Sequence, residues 1–468
     1  MSRLREIAER TPARRERHID LLRAVAIMAV VIGHWLVIAV EPTEDTIEGF
    51  SALVEVQWGH PLSWLFQVMP VFFIVGGFAN AASLTSHRRD GGVDAGWLLD
   101  RSARLVQPTA VLLVVLGGGA VVALWLGADP DLIGTAVWLA SLPLWFLVVY
   151  LAMVFLTPIM HALHRRAGLA VPVLLLVPVL VGDVLRLNLH NEAFAYGNFV
   201  FAWLAIHQIG FSWQDGRLPT GARVSVPLLT GGLAAVVLLT VVGPYPISMV
   251  TVPGADVQNS SPPTLALLSL ATAQLGLALL LRGPSERWLQ RTRPWTVVVA
   301  INAIILTLFL WHMGAAVLAT LGLYLAGLLP SLPVGSAAWL WWQIPWIMIL
   351  AVVLAGLVAI FGRMETRAAG PPRHRPPIPA KAATWMVRTG PETAVATAGY
   401  LLALLGLLWQ ANAGEAYHGP FGLPTGSLLL FLAGAAVLWL ARVTRTAAEE
   451  QDLAHRSGQA DSGRRNNR

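Results

Sequence analysis

The chain has 468 residues, of which 56% are hydrophobic and 12% charged, and its mean hydropathy is +0.64. A soluble domain carries about 25% charged residues, so this composition excludes an ordinary soluble protein and predicts a multi-pass membrane protein. The net charge of +6 comes from arginines scattered through the loops, a pattern that argues against a nucleic-acid partner. Cysteine is absent, which excludes disulfides, thiol nucleophiles and thiolate metal sites.

A membrane span needs about 20 apolar residues, and about twelve such runs follow one another along the chain. In chain order these runs are 19–40, 62–84, 105–126, 142–160, 169–185, 198–213, 225–242, 264–281, 296–319, 338–361, 394–408 and 427–443. The predicted fold is all-α: a polytopic membrane helical bundle of about ten core spans plus a C-terminal two-span hairpin. The stretch 295–329 is too long for one untilted span, so we expect a break near Gly314 or Gly322.

Charge alternates between successive loops. Six arginines precede or open the first run, and the next loop holds five acidic residues with no lysine or arginine. The alternation continues at nearly every turn. The positive-inside rule therefore predicts that both termini are cytoplasmic, which requires an even number of spans. We expect a multi-pass protein of the cell (plasma) membrane, surrounded by the lipid bilayer.

Composition also divides the chain into segments. We predict a basic cytoplasmic N-terminal segment (1–18), a membrane core (19–367), a Pro-rich basic cytoplasmic linker (368–392), a transmembrane hairpin (393–443) and a polar cytoplasmic tail (444–468). The prolines of the linker favour an extended, semi-rigid conformation. We expect the two spans of the hairpin to carry no ionisable group, and therefore expect the hairpin to support packing or partner contact and to have no chemical role.

The first run carries ionisable side chains that are costly in a bilayer. Arg23 and His34 are 11 residues apart, which on a helix is about three turns and about 16 Å along one face. Asp20 and Arg23 are spaced i, i+3 and can bond one another. A functional role for these residues competes with two structural interpretations: an Asp20–Arg23 pair at the membrane surface, and an interhelical hydrogen bond from the histidine.

Three further ionisable residues inside apolar runs are weighed for a functional role: His312, His207 and Asp183. His312 lies about 16 residues into a run of the same direction as the first, so we expect it at the depth of His34. For His207 and Asp183 the structural interpretation is favoured. No run contains an HxxxH or HxxE pattern, so we predict no metal site.

Arg101 and Arg104 are spaced i, i+3 at the start of the third run. Two guanidinium groups on one helix face suit the binding of a phosphate group. The competing interpretation is ordinary anchoring at the cytoplasmic surface.

Six segments in order resemble the acyltransferase 3 family of integral membrane acyltransferases, over about residues 17–367. The motifs are Asp20-x-x-Arg23 with His34, Met-Pro-Val-Phe-Phe-Ile-Val-Gly-Gly-Phe (69–78), Arg101-x-x-Arg104, Leu-Trp-Phe-Leu (144–147), Leu-Trp-His (310–312) and Phe-Gly-Arg-Met-Glu (361–365). Two features depart from the family pattern: Val148 stands in the stretch where many members carry a glutamate, and the closing motif is loosely matched.

The resemblance implies an acyltransferase that transfers groups other than aminoacyl groups. An acyl group, often acetyl, would pass from cytoplasmic acyl-CoA to a hydroxyl of a carbohydrate, glycolipid or other small acceptor at the extracytoplasmic side. Acyl-CoA, often acetyl-CoA, is then a co-substrate, and no tightly bound cofactor is expected. On this basis the catalytic residues are His34 and Arg23.

The remaining site residues have binding or supporting roles. Arg101, Arg104 and Arg23 would bind the donor, and the supporting residues are Asp20, Trp145, His312 and Glu365. His34 is either a general base on the acceptor hydroxyl or a transient acyl carrier.

Two other classes of protein fit parts of the sequence. A multi-span transporter or exporter is expected to show two related halves with interrupted helices, and no such symmetry is found. A non-catalytic membrane partner leaves Arg23 and His34 unexplained. Binding or hydrolysis of acyl-CoA by the purified protein separates an acyltransferase from a transporter.

Overall fold

The computed structural model describes residues 15–42, 47–368, 391–414 and 419–466. Most of the predicted N-terminal segment and of the Pro-rich linker lies outside the described residues.

The described chain consists almost entirely of helices. In chain order the elements are α1 Arg17–Val37, β1 Ile38–Pro42, β2 Ile47–Ser51, α2 Ser63–Phe66, α3 Met69–Arg89, α4 Asp94–Trp125, α5 Pro130–Ser141, α6 Leu144–Ala167, α7 Ala170–Leu189, α8 Asn198–Gln214, α9 Ala222–Val237, α10 Leu265–Leu289, α11 Thr292–Ala303, α12 Ile305–Leu325, α13 Ala337–Ala368, α14 Pro391–Ala411 and α15 Thr425–Asn466. Short 3₁₀ helices occupy Ala52–Val54, Gln57–Leu62 and Glu192–Ala195, and a π-helical turn, Leu238–Val242, extends α9.

Length and hydropathy give the number of spans. Eleven helical segments within the described residues are long and apolar enough to cross a membrane, and this confirms the predicted polytopic helical fold. Each of the twelve predicted runs overlaps a helix. The predicted runs outnumber the candidate spans by one because α8, which corresponds to run 198–213, has only 17 residues and is short for a span.

The chain divides into two compact units. The first comprises residues up to 83 together with 156–362, and the second comprises 84–155 together with the residues from 363 onward. The C-terminal hairpin α14–α15 therefore shares a unit with α4 and α5. This division cuts across the predicted membrane core of 19–367, whose boundaries stay a prediction.

The predicted break near Gly314 or Gly322 is wrong. The helices separate at Ile304, whose backbone (φ −128°, ψ 17°) departs from helical values, and α12 runs unbroken through both glycines. A glycine inside a helix lowers its stability but does not by itself break it. On the α11 side of the break, Asn302 donates its side-chain amide to the backbone oxygen of Asp20 at 2.9 Å, which ties α11 to α1.

Helix α1 packs in the first unit against α10, α11 and α12. Ala24 forms a buried apolar cluster with Leu289, Trp295 and Val298. These residues lie near the Arg17 end of α1, and the packing holds that end against the α10–α11 corner. The opposite end of α1 carries His34.

Two helices of the first unit meet at glycines. A Cβ atom at Gly77 of α3 would collide with the backbone of His207, and one at Gly210 of α8 would collide with the backbone of Ile74. Small residues of this kind let membrane helices approach closely. The contact buries the α8 face that bears His207.

A short antiparallel hairpin, which the apolar runs did not predict, follows α1 directly. Strand β1 pairs with β2 from Ile38 opposite Ser51 to Pro42 opposite Ile47. Ala39 and Ala52 pack with Trp339 of α13 in a small buried cluster. The hairpin thus connects the His34 end of α1 to the start of α13.

Candidate active site

Near the Arg17 end of α1, Asp20 pairs with the predicted Arg23 and, at shorter distance, with Arg15. Arg15 donates two hydrogen bonds to the Asp20 carboxylate, at 2.6 and 3.1 Å. The Nη1 atom of Arg23 lies 4.0 Å from the same carboxylate, at the limit of ion pairing. The hydrogen bond to Asp20 raises the pKa of the Arg15 guanidinium. Arg15, which helical spacing did not predict as a partner, contacts both oxygens of the Asp20 carboxylate.

His34 and His312 are in direct contact at the other end of α1. His34 Nδ1 lies 2.8 Å from His312 Nε2, and the two rings are nearly parallel, at 9°, with centroids 5.0 Å apart. A hydrogen bond between ring nitrogens that short, with the planes parallel, means that the rings meet edge to edge and not face to face. The sequence predicted a similar depth for the two histidines, and the structure joins them.

The hydrogen bonds fix which nitrogen carries each proton. His312 Nδ1 lies 2.6 Å from the backbone oxygen of Phe309, and a carbonyl oxygen can only accept, so Nδ1 is the protonated nitrogen of His312. In a neutral imidazole the other nitrogen is then an acceptor. His34 must therefore donate from Nδ1 to His312 Nε2, and His34 Nε2 keeps its lone pair.

His34 Nε2 has no hydrogen-bond partner among the described residues, and the His34 side chain is only half-buried. A half-buried imidazole with an open Nε2 lone pair and its other nitrogen bonded to an acceptor can take a proton from a bound hydroxyl. If His34 becomes an imidazolium, its Nδ1–H still donates to His312. His34 can therefore gain a proton at Nε2 while its hydrogen bond to His312 stays in place.

Two neighbouring contacts position the pair. The indole Nε1 of Trp35 donates to the backbone oxygen of His312 at 3.0 Å, and both residues are buried. The Phe66 ring packs over the backbone of Gly33, where an added Cβ would lie 3.0 Å from the ring. α1, α2 and α12 therefore all contribute to the immediate surroundings of His34.

Arg101 and Arg104 lie in the second unit, on α4. Ser102 and Ala103, between them, are buried, whereas Arg104 is exposed and Arg101 half-buried, so the two arginines share the outward face of their helix. Arg101 reaches the hydroxyl of Tyr150 at 3.5 Å. The arrangement is compatible with a two-arginine phosphate contact, and the assignment stays a prediction.

The C-terminal hairpin contributes charged residues beside this face. Arg442 of α15 donates to the Asp100 carboxylate at 3.1 Å, and Arg445 lies 3.7 Å from it. Asp100 immediately precedes Arg101. The expectation that the hairpin spans carry no ionisable group is wrong, because Arg442 lies within the predicted run 427–443 and pairs with Asp100. The i, i+3 spacing of Arg442 and Arg445 was a visible signal.

The other supporting residues also fall in the second unit. Trp145 is half-buried near the start of α6 and makes an edge contact with the Phe146 ring, with centroids 6.5 Å apart. Glu365 is half-buried on α13. Four of the predicted site residues thus lie in the first unit (Asp20, Arg23, His34, His312) and four in the second (Arg101, Arg104, Trp145, Glu365).

Both carboxylate oxygens of Asp183 make contacts with neighbouring helices and loops. Its carboxylate accepts hydrogen bonds from the Asn198 amide at 3.1 Å, the Tyr245 hydroxyl at 2.9 Å and the backbone N–H of Leu265 at 2.8 Å, and it pairs with Arg186 at 3.3 Å. Burial and the neighbouring carboxylate raise the pKa of Tyr245. These contacts agree with the structural interpretation of Asp183.

His207 is likewise buried, with Nε2 lying 3.1 Å from the side-chain amide of Asn80. Across the described residues, no three His, Asp or Glu side chains gather as a set of metal ligands. The prediction that the protein uses no metal remains a prediction.

Comparison with known proteins identifies the family. No match is found among curated proteins or among solved structures. A family model described as an acyltransferase domain, that of the acyltransferase 3 family, matches residues 16–363. The match covers α1 to most of α13, including both histidines and the arginines of α4, and it ends before the C-terminal hairpin. The chain therefore belongs to the acyltransferase 3 family of membrane proteins.

Proposed function

We propose that the protein moves an acyl group, in the first instance acetyl, from cytoplasmic acyl-CoA to a hydroxyl of a carbohydrate or glycolipid at the opposite side of the plasma membrane. The observation that carries this proposal is the His34–His312 hydrogen bond. Family membership supports acyl transfer in general, and the histidine pair supplies a base for the hydroxyl.

The proposed reaction is a direct attack. The acceptor oxygen forms a bond to the thioester carbonyl carbon while its proton passes to His34 Nε2. The tetrahedral intermediate then expels the coenzyme A sulfur, the C–S bond breaks, and the thiolate takes the proton from His34 Nε2. The products are an ester and the free thiol, and His34 returns to its starting tautomer.

His312 is proposed to act through His34. Its Nε2 accepts the His34 Nδ1–H before and after the proton transfer, and Phe309 holds its tautomer. A hydrogen bond is stronger when its donor is charged, so this contact favours the imidazolium form. Orientation by a neighbouring acceptor is the arrangement used in other hydrolytic and transfer sites with a histidine base.

Arg23, Arg101 and Arg104 are proposed to bind the phosphate groups of the donor. Positively charged loops support a cytoplasmic position for the Arg17 end of α1 and for the start of α4, which is where coenzyme A is available. Since α1 is one continuous helix, His34 lies about 16 Å further along it than Arg23. An extended pantetheine arm would cover this distance.

The proposal is tested by purifying the full-length protein in lipid nanodiscs and supplying radiolabelled acetyl-CoA. The expected result is saturable donor binding, with label appearing in a carbohydrate product. In parallel, mass spectrometry of cell-surface glycans and glycolipids, with and without the gene, should reveal one acetylated species that depends on the gene. If the protein neither binds acetyl-CoA nor changes any surface glycan, the proposal is wrong.

A further inference from the structure

The C-terminal hairpin meets α4 at Asp100, the residue that precedes the two predicted donor-binding arginines. Arg442 Nε of α15 donates to one oxygen of the Asp100 carboxylate at 3.1 Å, and Arg445 Nη1 lies 3.7 Å from the other oxygen. The Arg442 side chain is only 9% exposed, whereas that of Asp100 is 48% exposed. Two cations of α15 therefore share one anion of α4, and all three residues belong to the second unit.

Arg445 is held by further contacts at the same place. Its Nε lies 3.9 Å from the carboxylate of Glu392, near the start of α14. An added Cβ at Gly96 of α4 would collide with the Arg445 guanidinium, so the guanidinium lies directly against the α4 backbone. The pairing with Asp100 is thus part of a packed contact between α15 and α4.

The sequence of α4 favours a different partner for Asp100. Asp100 and Arg104 are spaced i, i+4, and an acidic residue four positions before a basic one forms a favourable pair on a helix. In the structure no ion pair joins them. Arg104 is exposed and makes no hydrogen bond or ion pair with any of the described residues. Arg442 and Arg445 thus hold the carboxylate that helical spacing would give to Arg104.

The result is an α4 face with two cations and no bound carboxylate. Arg101 makes one hydrogen bond within the described part of the chain, to the neutral hydroxyl of Tyr150 at 3.5 Å. Arg104 is repelled by Arg101 and Arg442 and attracted by Asp100. A carboxylate bonded to a guanidinium occupies the same donor groups that a phosphate would use, so keeping Asp100 off this face favours the binding of a phosphate.

Anchoring at the membrane surface does not account for Arg442. An anchoring arginine needs only to reach the cytoplasmic surface, whereas Arg442 is buried against α4 and bonded to Asp100. The hairpin also lies beyond residues 16–363, the part of the chain that matches the family model. The contact is therefore a feature that this chain adds to the family domain.

We propose that Arg442 and Arg445 are positioning residues of the donor site: they hold Asp100 away from Arg104, so that Arg104 and Arg101 remain available to a phosphate group of acyl-CoA. The proposal rests on the proposed function, because it concerns the donor of that reaction. It gives the hairpin a role in donor affinity and none in the transfer step.

The test compares three forms of the Asp100 contact in the full-length protein. Arg442→Met/Arg445→Met removes both cations but keeps long, unbranched side chains that can pack. Asp100→Asn removes the carboxylate, and the third variant combines all three changes. The matched control is Ser427→Ala, which removes a 3.1 Å hydrogen bond to Gln410 within the hairpin and leaves Asp100 untouched.

Each variant is purified in nanodiscs of zwitterionic phosphatidylcholine, so that no anionic lipid headgroup competes for the arginines. Equilibrium binding of radiolabelled acetyl-CoA is measured at low and at high salt, with thermal unfolding in parallel.

We expect Arg442→Met/Arg445→Met to weaken acetyl-CoA binding about five-fold, the effect of one unit charge about 4 Å away in water, because the released Asp100 pairs with Arg104. Asp100→Asn should weaken binding less, since the contact with α15 is lost but Arg104 gains no carboxylate. The combined variant should recover most of the lost affinity. High salt should reduce the differences, and Ser427→Ala should lower thermal stability without changing the affinity.

Two results would overturn the proposal while the proposed function stands. One is unchanged acetyl-CoA affinity in folded Arg442→Met/Arg445→Met. The other is a loss that Asp100→Asn does not reverse, which would mean that the two arginines contact the donor themselves or only support the fold. Failure of the unmodified protein to bind acetyl-CoA would instead overturn the proposed function, and the positioning role with it.

Discussion

Replacing His312 by alanine tests whether the histidine pair acts as a unit. The change removes the acceptor of the 2.8 Å bond from His34 Nδ1. A hydrogen bond to a charged group contributes about 1.5 to 3 kcal/mol and a neutral one about 0.5 to 1.5 kcal/mol. Only the difference, about 1 to 1.5 kcal/mol, favours the transition state over the ground state, and it corresponds to a fall in kcat of about 5- to 13-fold.

The expected result for His312→Ala is therefore a lower kcat at saturating donor, with little change in acetyl-CoA affinity. His312→Gln should recover part of the loss, because its amide oxygen can accept from His34 Nδ1. Trp35→Phe is the comparison variant: it removes a positioning bond to the His312 backbone oxygen but keeps the acceptor nitrogen of the His312 ring, so its fall in kcat should be smaller than that of His312→Ala. The assay is transfer of radiolabelled acetyl by protein in nanodiscs, with thermal unfolding measured in parallel.

Two outcomes would refute the reasoning. A normal kcat in folded His312→Ala would mean that His34 works without its partner. A kcat in folded His312→Gln that is as low as in His312→Ala would mean that the acceptor atom is not what His312 supplies.

The other predictions concern the donor face and the topology. Arg101→Ala and Arg104→Ala should raise the acetyl-CoA KM about 10- to 100-fold, from about 1.5 to 3 kcal/mol per charged contact, with only partial recovery in the lysine variants; unchanged affinity in both would reduce these arginines to membrane anchors. Asp100→Asn should weaken the contact between Arg442 and α4 and raise the donor KM by a smaller factor. Truncation after residue 392 should leave measurable transfer. Complete loss of transfer in a truncated protein that inserts and folds would contradict a supporting role for the hairpin. A reporter fused after residue 129 should read as external, and an internal signal would overturn the proposed orientation.

Patterns of about 20 residues were enough to predict most of the fold. Apolar runs of that length must form helices in a bilayer, since every backbone polar group needs an internal partner. The break at Ile304 was not predictable in the same way, because no glycine or proline marks it and the position is set by how α11 and α12 pack on α1. The β1–β2 hairpin was missed because its strands are only five residues long.

The sequence indicates candidate site residues, whose roles stay predictions, but it does not indicate which of them are in contact. An ionisable group in an apolar helix stands out in any sequence, which is why His34 and His312 were both singled out. Their bond depends on the rotation of two helices separated by 278 positions, and spacing holds no information on that. Helical spacing predicted the Asp20–Arg23 pair, which is present at 4.0 Å, but it could not predict the shorter contact from Arg15, because Arg15 precedes the helix.

The central claim is that His34 Nε2 accepts the proton of the acceptor hydroxyl, and single-turnover transfer by His34→Ala tests it most directly. Loss of a general base typically lowers the rate about 10²- to 10⁴-fold, so the variant should insert, bind acetyl-CoA as the unmodified protein does, and transfer acetyl at a rate reduced by that factor. Incubation of the unmodified protein with donor alone should yield no acetyl-histidine. Near-normal transfer by His34→Ala would contradict the account and leave His34 as an interhelical hydrogen-bonding group.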